Sequence, residues 1–127
     1  MQFELKNVGL IDDATITLAD LTIICGENNT GKTYVTYALH GFLRSWRRIL
    51  PSVIEEKIEE VLKATPTQLD LGHLFKGHVN AYLSKIAKRY TSVLPSVFAS
   101  TQNFFDNASV KVSVPVELDF LDAQYQR

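Results

Sequence analysis

Residues 26–33 read Gly26-Glu27-Asn28-Asn29-Thr30-Gly31-Lys32-Thr33: two glycines separated by four residues, then a lysine and a hydroxyl side chain. A loop of this kind can present many backbone N–H groups to one small volume, because successive amides in a tight turn converge on a concavity that suits an anion. Glycine at 26 and 31 lets the chain turn sharply and approach a ligand with no side chain in the way. Asn28 and Asn29 tolerate the dihedrals that such a turn needs. Lys32 adds a point charge, and Thr33 adds a hydroxyl of the type that ligates magnesium beside a phosphate. Four fixed positions of this type would match by chance in roughly one of several hundred chains at average residue usage.

The flanking sequence has the layout that a phosphate-binding loop (P-loop) of a nucleotide-binding protein requires, a strand before it and a helix after it. Leu21-Thr22-Ile23-Ile24-Cys25 is a nearly continuous apolar run, expected to be a strand buried on both faces. After the loop, Val35, Leu39, Phe42, Leu43, Trp46 and Leu50 recur at three- and four-residue steps and predict one helix from about Gly31 to Leu50, stopped by Pro51. The N-terminus of that helix adds dipole potential to the anion site. The expected phosphate contacts are Gly26, Glu27, Asn28, Asn29, Thr30, Gly31, Lys32, Thr33 and Tyr34, with Thr33 also on magnesium.

Upstream, Phe3, Leu5 and Val8 alternate against Gln2, Glu4 and Lys6 and predict a half-buried strand. Asn7, Gly9, Asp12 and Asp13 mark a turn, and residues 14–18 predict a second strand ended by Asp20. Downstream, Ser52 and Glu55 have the spacing of a capping box opening a second helix, with Ile54, Ile58, Val61 and Leu62 as its buried stripe and Pro66 as its end. A connecting segment, Leu69 to Phe75, leads to a third helix near residues 78–93, facing inward through Val79, Tyr82, Leu83, Ile86, Tyr90 and Val93, with Pro95 closing it. Val110, Val112 and Val114 return to a two-residue period, and residues 116–120 resume it beyond Pro115. The organisation expected is an ATPase core at 1–50, a helical insert at 51–108 and strands returning to the core at 109–127.

Two alternating strands ahead of the loop argue against nucleotide kinases and small GTPases, in which the loop usually follows the first strand. Residues 3–9, 14–18 and 21–33 together resemble the start of ABC-type ATPase heads, above all the SMC, RecF/RecN and OLD branch and the AAA-type ATPases of bacterial phage-defence systems. The resemblance implies an α/β P-loop NTPase fold, ATP with Mg2+ as ligands, and two heads that engage on ATP binding and separate on hydrolysis. It also implies a homodimer or a partner ATPase or effector subunit, and it permits DNA as a partner. Adenine contact from the turn around Asn7 to Gly9 is implied in the same way. The family's further parts do not occur: there is no Leu-Ser-Gly-Gly-type signature, and no apolar run ends in Asp-Glu as a Walker B strand would. No catalytic residue is therefore assigned. The chain is expected to be the N-terminal part of a longer ATPase, ending before its Walker B strand and inactive in hydrolysis by itself. Two rivals remain: a non-catalytic, nucleotide-gated interaction module, and a P-loop kinase.

Other residues invite functions that blander readings outweigh. Arg44, Arg47 and Arg48 fall near the expected helix end, where the dipole favours cations, and Lys85, Lys88 and Arg89 share one face of the third helix. Phosphate contact with nucleic acid is the functional alternative. Glu55, Glu56, Glu59 and Glu60 offset these charges, and the net charge of the 127-residue chain is −1, so nothing global draws it to nucleic acid. The single cysteine excludes an internal disulfide, and Cys25 is expected in the core. His40, His73 and His78 lack metal-ligand spacing with it. Phe104 and Phe105 fit a core better than a base-stacking site. Gln102, Gln124 and Gln126 are equal candidates for a γ-phosphate sensor. With no apolar run long enough for a membrane span and no signal-peptide layout, a cytoplasmic location is expected.

Overall fold

A computed structural model describes residues 1–64 and 77–115. Strand β1 (Gln2–Val8) pairs on one side with β2 (Ile11–Thr17) and on the other with β3 (Ser109–Ser113), giving an antiparallel sheet of order β2-β1-β3. Helix α1 spans Lys32–Ala64 and helix α2 spans Val79–Val97, and a short 3-10 turn, Gln102–Phe105, leads into β3.

The alternation of β1 puts Phe3, Leu5 and Val8 fully inside. A strict two-residue period would bury Asn7 rather than Val8. Asn7 instead adopts a left-handed φ of 51°, which shifts the parity by one, and its Nδ2 donates to the Asn107 carbonyl at 3.1 Å. The hairpin turn is shorter than the polar residues suggested. Gly9 and Leu10 alone make it, and Asp12 and Asp13 belong to β2. Asp13 lies directly opposite Lys6, and their charged groups meet at 3.3 Å. Glu4 lies opposite Lys111 at 3.7 Å. Such half-exposed pairs help fix register more than they stabilise.

The helices cover one face of the sheet. Phe42 of α1 sits edge-on to Phe3 of β1 at 5.2 Å and edge-on to Tyr90 of α2 at 5.4 Å, a ring chain that ties all three elements together. Each such pair contributes about 0.5–1.5 kcal/mol beyond its area burial. Burial pushes the Tyr90 phenol up from its ordinary value, and its hydroxyl donates to the Ala38 carbonyl at 2.8 Å. The helices touch closely because Gly41 has no side chain: a Cβ there would lie 2.5 Å from the Tyr90 hydroxyl and 2.7 Å from Val97. Helix α2 also shields the outer edge of β3. Asn80 accepts from Val114 N at 2.9 Å and donates to Val114 O at 3.0 Å, and the Thr91 hydroxyl accepts from Val110 N at 3.3 Å. A free strand edge is thereby partly covered.

Several expectations are corrected. Pro51 does not stop the first helix; α1 continues through it to Ala64. A proline removes one helical hydrogen bond, and here neighbouring contacts compensate. The Ser52 hydroxyl donates to the Ile49 carbonyl at 2.8 Å, Arg89 of α2 reaches the Ser52 hydroxyl, and Val53 is fully buried one residue on. Ser52 is thus inside a helix and not the opening of a capping box. Pro95 likewise lies within α2, which ends at Val97. Leu43 and Val93 are exposed, 45% and 37%, while Ala38, Ala87 and Leu94 fill the core. Ile54 and Ile58 are half-buried. The burial of Val61 and Leu62, the helix end at Pro66, the segment Leu69–Phe75, His73, the strand at 116–120, Gln124 and Gln126 all lie outside the described residues.

The largest correction concerns residues 21–25, which form no strand. Leu21 is 77% and Ile23 75% exposed, and Cys25 is exposed as well. Both edges of β1 are taken, by β2 and β3, and no described strand pairs with this segment. A backbone without such partners stays in water. Among the described residues, no helix is long and apolar enough to cross a membrane.

Candidate functional site

The segment from Gly26 to Gly31 is a tight turn feeding directly into α1. Its backbone uses the left-handed region three times, at Gly26 (φ 152°), Asn29 (φ 62°) and Gly31 (φ 84°). Gly31 is required twice over. Its φ disfavours any side chain, and a Cβ there would lie 2.4 Å from the Ile11 side chain of β2. The glycine thus lets the start of α1 sit directly against the hairpin.

The first helical hydrogen bond runs from Val35 N to Gly31 O at 3.1 Å. The N–H groups of Lys32, Thr33 and Tyr34 precede it and have no helical acceptor. Together they give the loop mouth a concentration of free donors at the positive end of a 33-residue helix.

Lys32 folds back into the loop. Its ammonium donates to the Gly26 carbonyl at 2.9 Å, to the Glu27 carbonyl, and to the Thr30 hydroxyl at 3.4 Å. The Thr30 hydroxyl in turn donates to the Glu27 carbonyl at 2.8 Å. An ammonium has three donors, and all three point inward here. The longest contact, to Thr30, is the one most easily exchanged for a phosphate oxygen while the two carbonyl bonds keep the loop closed.

A cavity of about 240 Å³ remains beside this clasp, lined by Asn28–Tyr34 of the loop and helix and by Leu10 of the hairpin turn. Lys32 carries the sole charge among its lining side chains. Thr33 lines this cavity. Gly26 and Glu27 do not line it; they serve through their carbonyls as the anchors of Lys32. The hairpin was suggested as the adenine side through Asn7 to Gly9. In the structure Leu10 is the turn residue at the cavity, Gly9 packs against the Tyr34 ring, and Asn7 is engaged with Asn107. The nearness of Leu10 had no sequence signal, because it depends on how the hairpin folds over the loop.

The donors, the cation and the hydroxyl all fit a polyphosphate. No group of three or more His, Cys, Asp or Glu side chains among the described residues could hold a metal by itself.

Such a loop, between a strand-rich N-terminus and a long helix, defines a P-loop nucleotide-binding protein of the α/β class. The chain belongs to the AAA ATPase domain family, whose sequence profile matches residues 1–116. Members of that family bind nucleotide. No curated protein and no solved structure matches the chain.

Proposed function

We propose that this chain binds ATP with magnesium through residues 26–34, as the N-terminal part of an ABC/SMC-like ATPase head. The observation that carries the reading is the Lys32 clasp at the mouth of α1, with free N–H groups and the Thr33 hydroxyl beside it. In this reading Lys32 gives up its Thr30 contact and turns that donor to the β- and γ-phosphates. The N–H groups of Lys32, Thr33 and Tyr34 hold the phosphate oxygens, and the Thr33 hydroxyl ligates magnesium. Hydrolysis needs a carboxylate to orient water, and no acidic side chain lines the cavity. That group and a second head would come from outside the described residues, and head engagement would gate an effector, as in phage defence.

A nucleotide-gated interaction module is the second reading. It is favoured by the exposed apolar run at Leu21 and Ile23, which leads straight into the loop and would give a partner strand something to pair with once nucleotide orders it.

Titration calorimetry with ATP, with and without magnesium, tests the binding. Thr33→Ala should weaken binding in magnesium at least tenfold and leave the magnesium-free affinity nearly unchanged. Equal losses in both buffers would remove Thr33 from the metal.

A further inference from the structure

Helix α1 carries His40, Arg44 and Arg48 at successive four-residue steps, so the three lie along one face, one turn apart. Because α1 continues through Pro51 to Ala64, none of them is at its C-terminal end, and no dipole favours the cations there. Like charges one turn apart oppose each other. The acids of α1 begin only at Glu55, about 10 Å beyond Arg48 along the axis. Among the described residues, neither arginine has an ion pair or a side-chain hydrogen bond. Within the chain the stripe only opposes the helix; an anion against it would reverse the sign.

The stripe borders a hollow. A cavity of about 490 Å³ lies between α1 and α2, within the size range of small-molecule sites. His40, Arg44 and Arg48 line it from α1, and Ser45 and Ser96 add a hydroxyl from each helix. The hydroxyls and the His40 ring also lack hydrogen-bond partners among the described residues. Two guanidiniums, an imidazole and two hydroxyls thus border one space, and its lining contains no acid. The rest of the wall is apolar, formed by Ile49, Val93 and Val97. Ile49 and Val97 are half-buried, and Val93 is 37% exposed. The cavity shares no lining residue with the one at the P-loop, whose last member on α1 is Tyr34.

We propose that this cavity binds a small organic phosphate monoester, its phosphate held by Arg44, Arg48 and His40 and its organic group against Ile49, Val93 and Val97. The donor set selects the chemistry. Each guanidinium presents a planar fork of N–H donors, so two of them with an imidazole and two hydroxyls exceed what one carboxylate can accept. A phosphate monoester brings three acceptor oxygens and a charge of about −1.5 to −2 at neutral pH, which matches two arginines. Inorganic phosphate would satisfy the cations but leave the apolar wall in water. The assignment does not rest on nucleotide binding at Lys32.

The test is calorimetric titration of the intact chain with phenyl phosphate, with NMR of the His40 ring protons and the Val93 and Val97 methyls to place the ligand. Those resonances should shift and saturate with the calorimetric affinity. Arg44→Gln and Arg48→Gln should each weaken phenyl phosphate about tenfold, as loss of a charge-assisted hydrogen bond does. Val93→Ala should weaken it about threefold and leave inorganic phosphate unaffected. Phenylacetate, with a carboxylate in place of the phosphate, should bind about tenfold more weakly or worse. The arginine variants should keep the parent's affinity for ATP, and Lys32→Ala should keep the phenyl phosphate shifts, so failure here and failure at the P-loop give different patterns. Circular dichroism checks that each variant is folded, and the ligand series on the parent needs no variant. Absence of shifts at His40 and Val93 would overturn the proposal, as would arginine substitutions without effect. Equal affinity for phenylacetate would overturn it too, and so would tighter binding of a phosphoserine peptide than of phenyl phosphate.

Discussion

Gly31→Ala strikes the point at which loop, hairpin and helix meet. The new methyl would have to be held at φ 84°, a left-handed conformation that costs a residue with a Cβ about 1–2 kcal/mol. It would also lie 2.4 Å from the Cδ1 of Ile11, which is 8% exposed and has little room to move. Overpacking of this kind costs about 1–3 kcal/mol. The sum, about 2–4 kcal/mol after partial relaxation, is large against the marginal stability of a small domain. The two contributions can be separated. Ile11→Val removes the offending Cδ1 and by itself costs about 0.5–1.5 kcal/mol. The double variant should then be about 1 kcal/mol more stable than the sum of the single effects, because the collision is gone while the backbone strain stays. Urea unfolding of the four proteins, followed by circular dichroism, gives the full cycle, with constant m-values as the check on two-state behaviour. A Gly31→Ala variant within about 0.5 kcal/mol of the parent would refute the strain argument. Strictly additive substitutions would refute the contact with Ile11.

Two other perturbations bear on the fold. Tyr90→Phe removes the bond to the Ala38 carbonyl and should destabilise by about 0.5–1.5 kcal/mol, toward the low end because that carbonyl also accepts a helical N–H. Because burial raises the Tyr90 phenol above its ordinary value, the folded state holds that proton more tightly than the unfolded state. Its contribution to stability should therefore be complete below about pH 10 and fall as the pH rises further, and Tyr90→Phe should flatten that decline in urea melts. Cys25 is exposed, so a thiol reagent should modify it in the native protein nearly as fast as in denaturant, and saturating ATP should slow the reaction by ordering the adjacent loop. A thiol protected in the nucleotide-free protein would restore the buried strand at residues 21–25.

What the sequence disclosed was local. The loop was legible because its spacing encodes a backbone shape, and Phe3, Leu5, Val110 and Val112 were legible because alternation maps directly onto sheet faces. The failures arose where distant residues decide the outcome. Pro51 and Pro95 read as helix ends, yet a proline can stay inside a helix when surrounding contacts compensate, and at Pro51 these come from Ser52 and from Arg89 on another helix. Residues 21–25 read as a buried strand, since an apolar run carries no record of whether its neighbours are present. Leu43 fitted the helical period and is exposed, because the close approach of the helices at Gly41 turns a narrower stripe inward. The clasp of Lys32 onto the Gly26 and Glu27 carbonyls, and the wall that Leu10 supplies, follow from the folded turn and leave no mark in composition or period.

Titration calorimetry of the parent and Lys32→Ala with ATP and magnesium tests the account most directly. The lysine both closes the loop through two carbonyls and supplies the charge for the phosphates, so its loss should abolish measurable binding while leaving the denaturant midpoint nearly unchanged, because the ammonium bonds only the exposed loop. Heat of binding and affinity equal to those of the parent would contradict it.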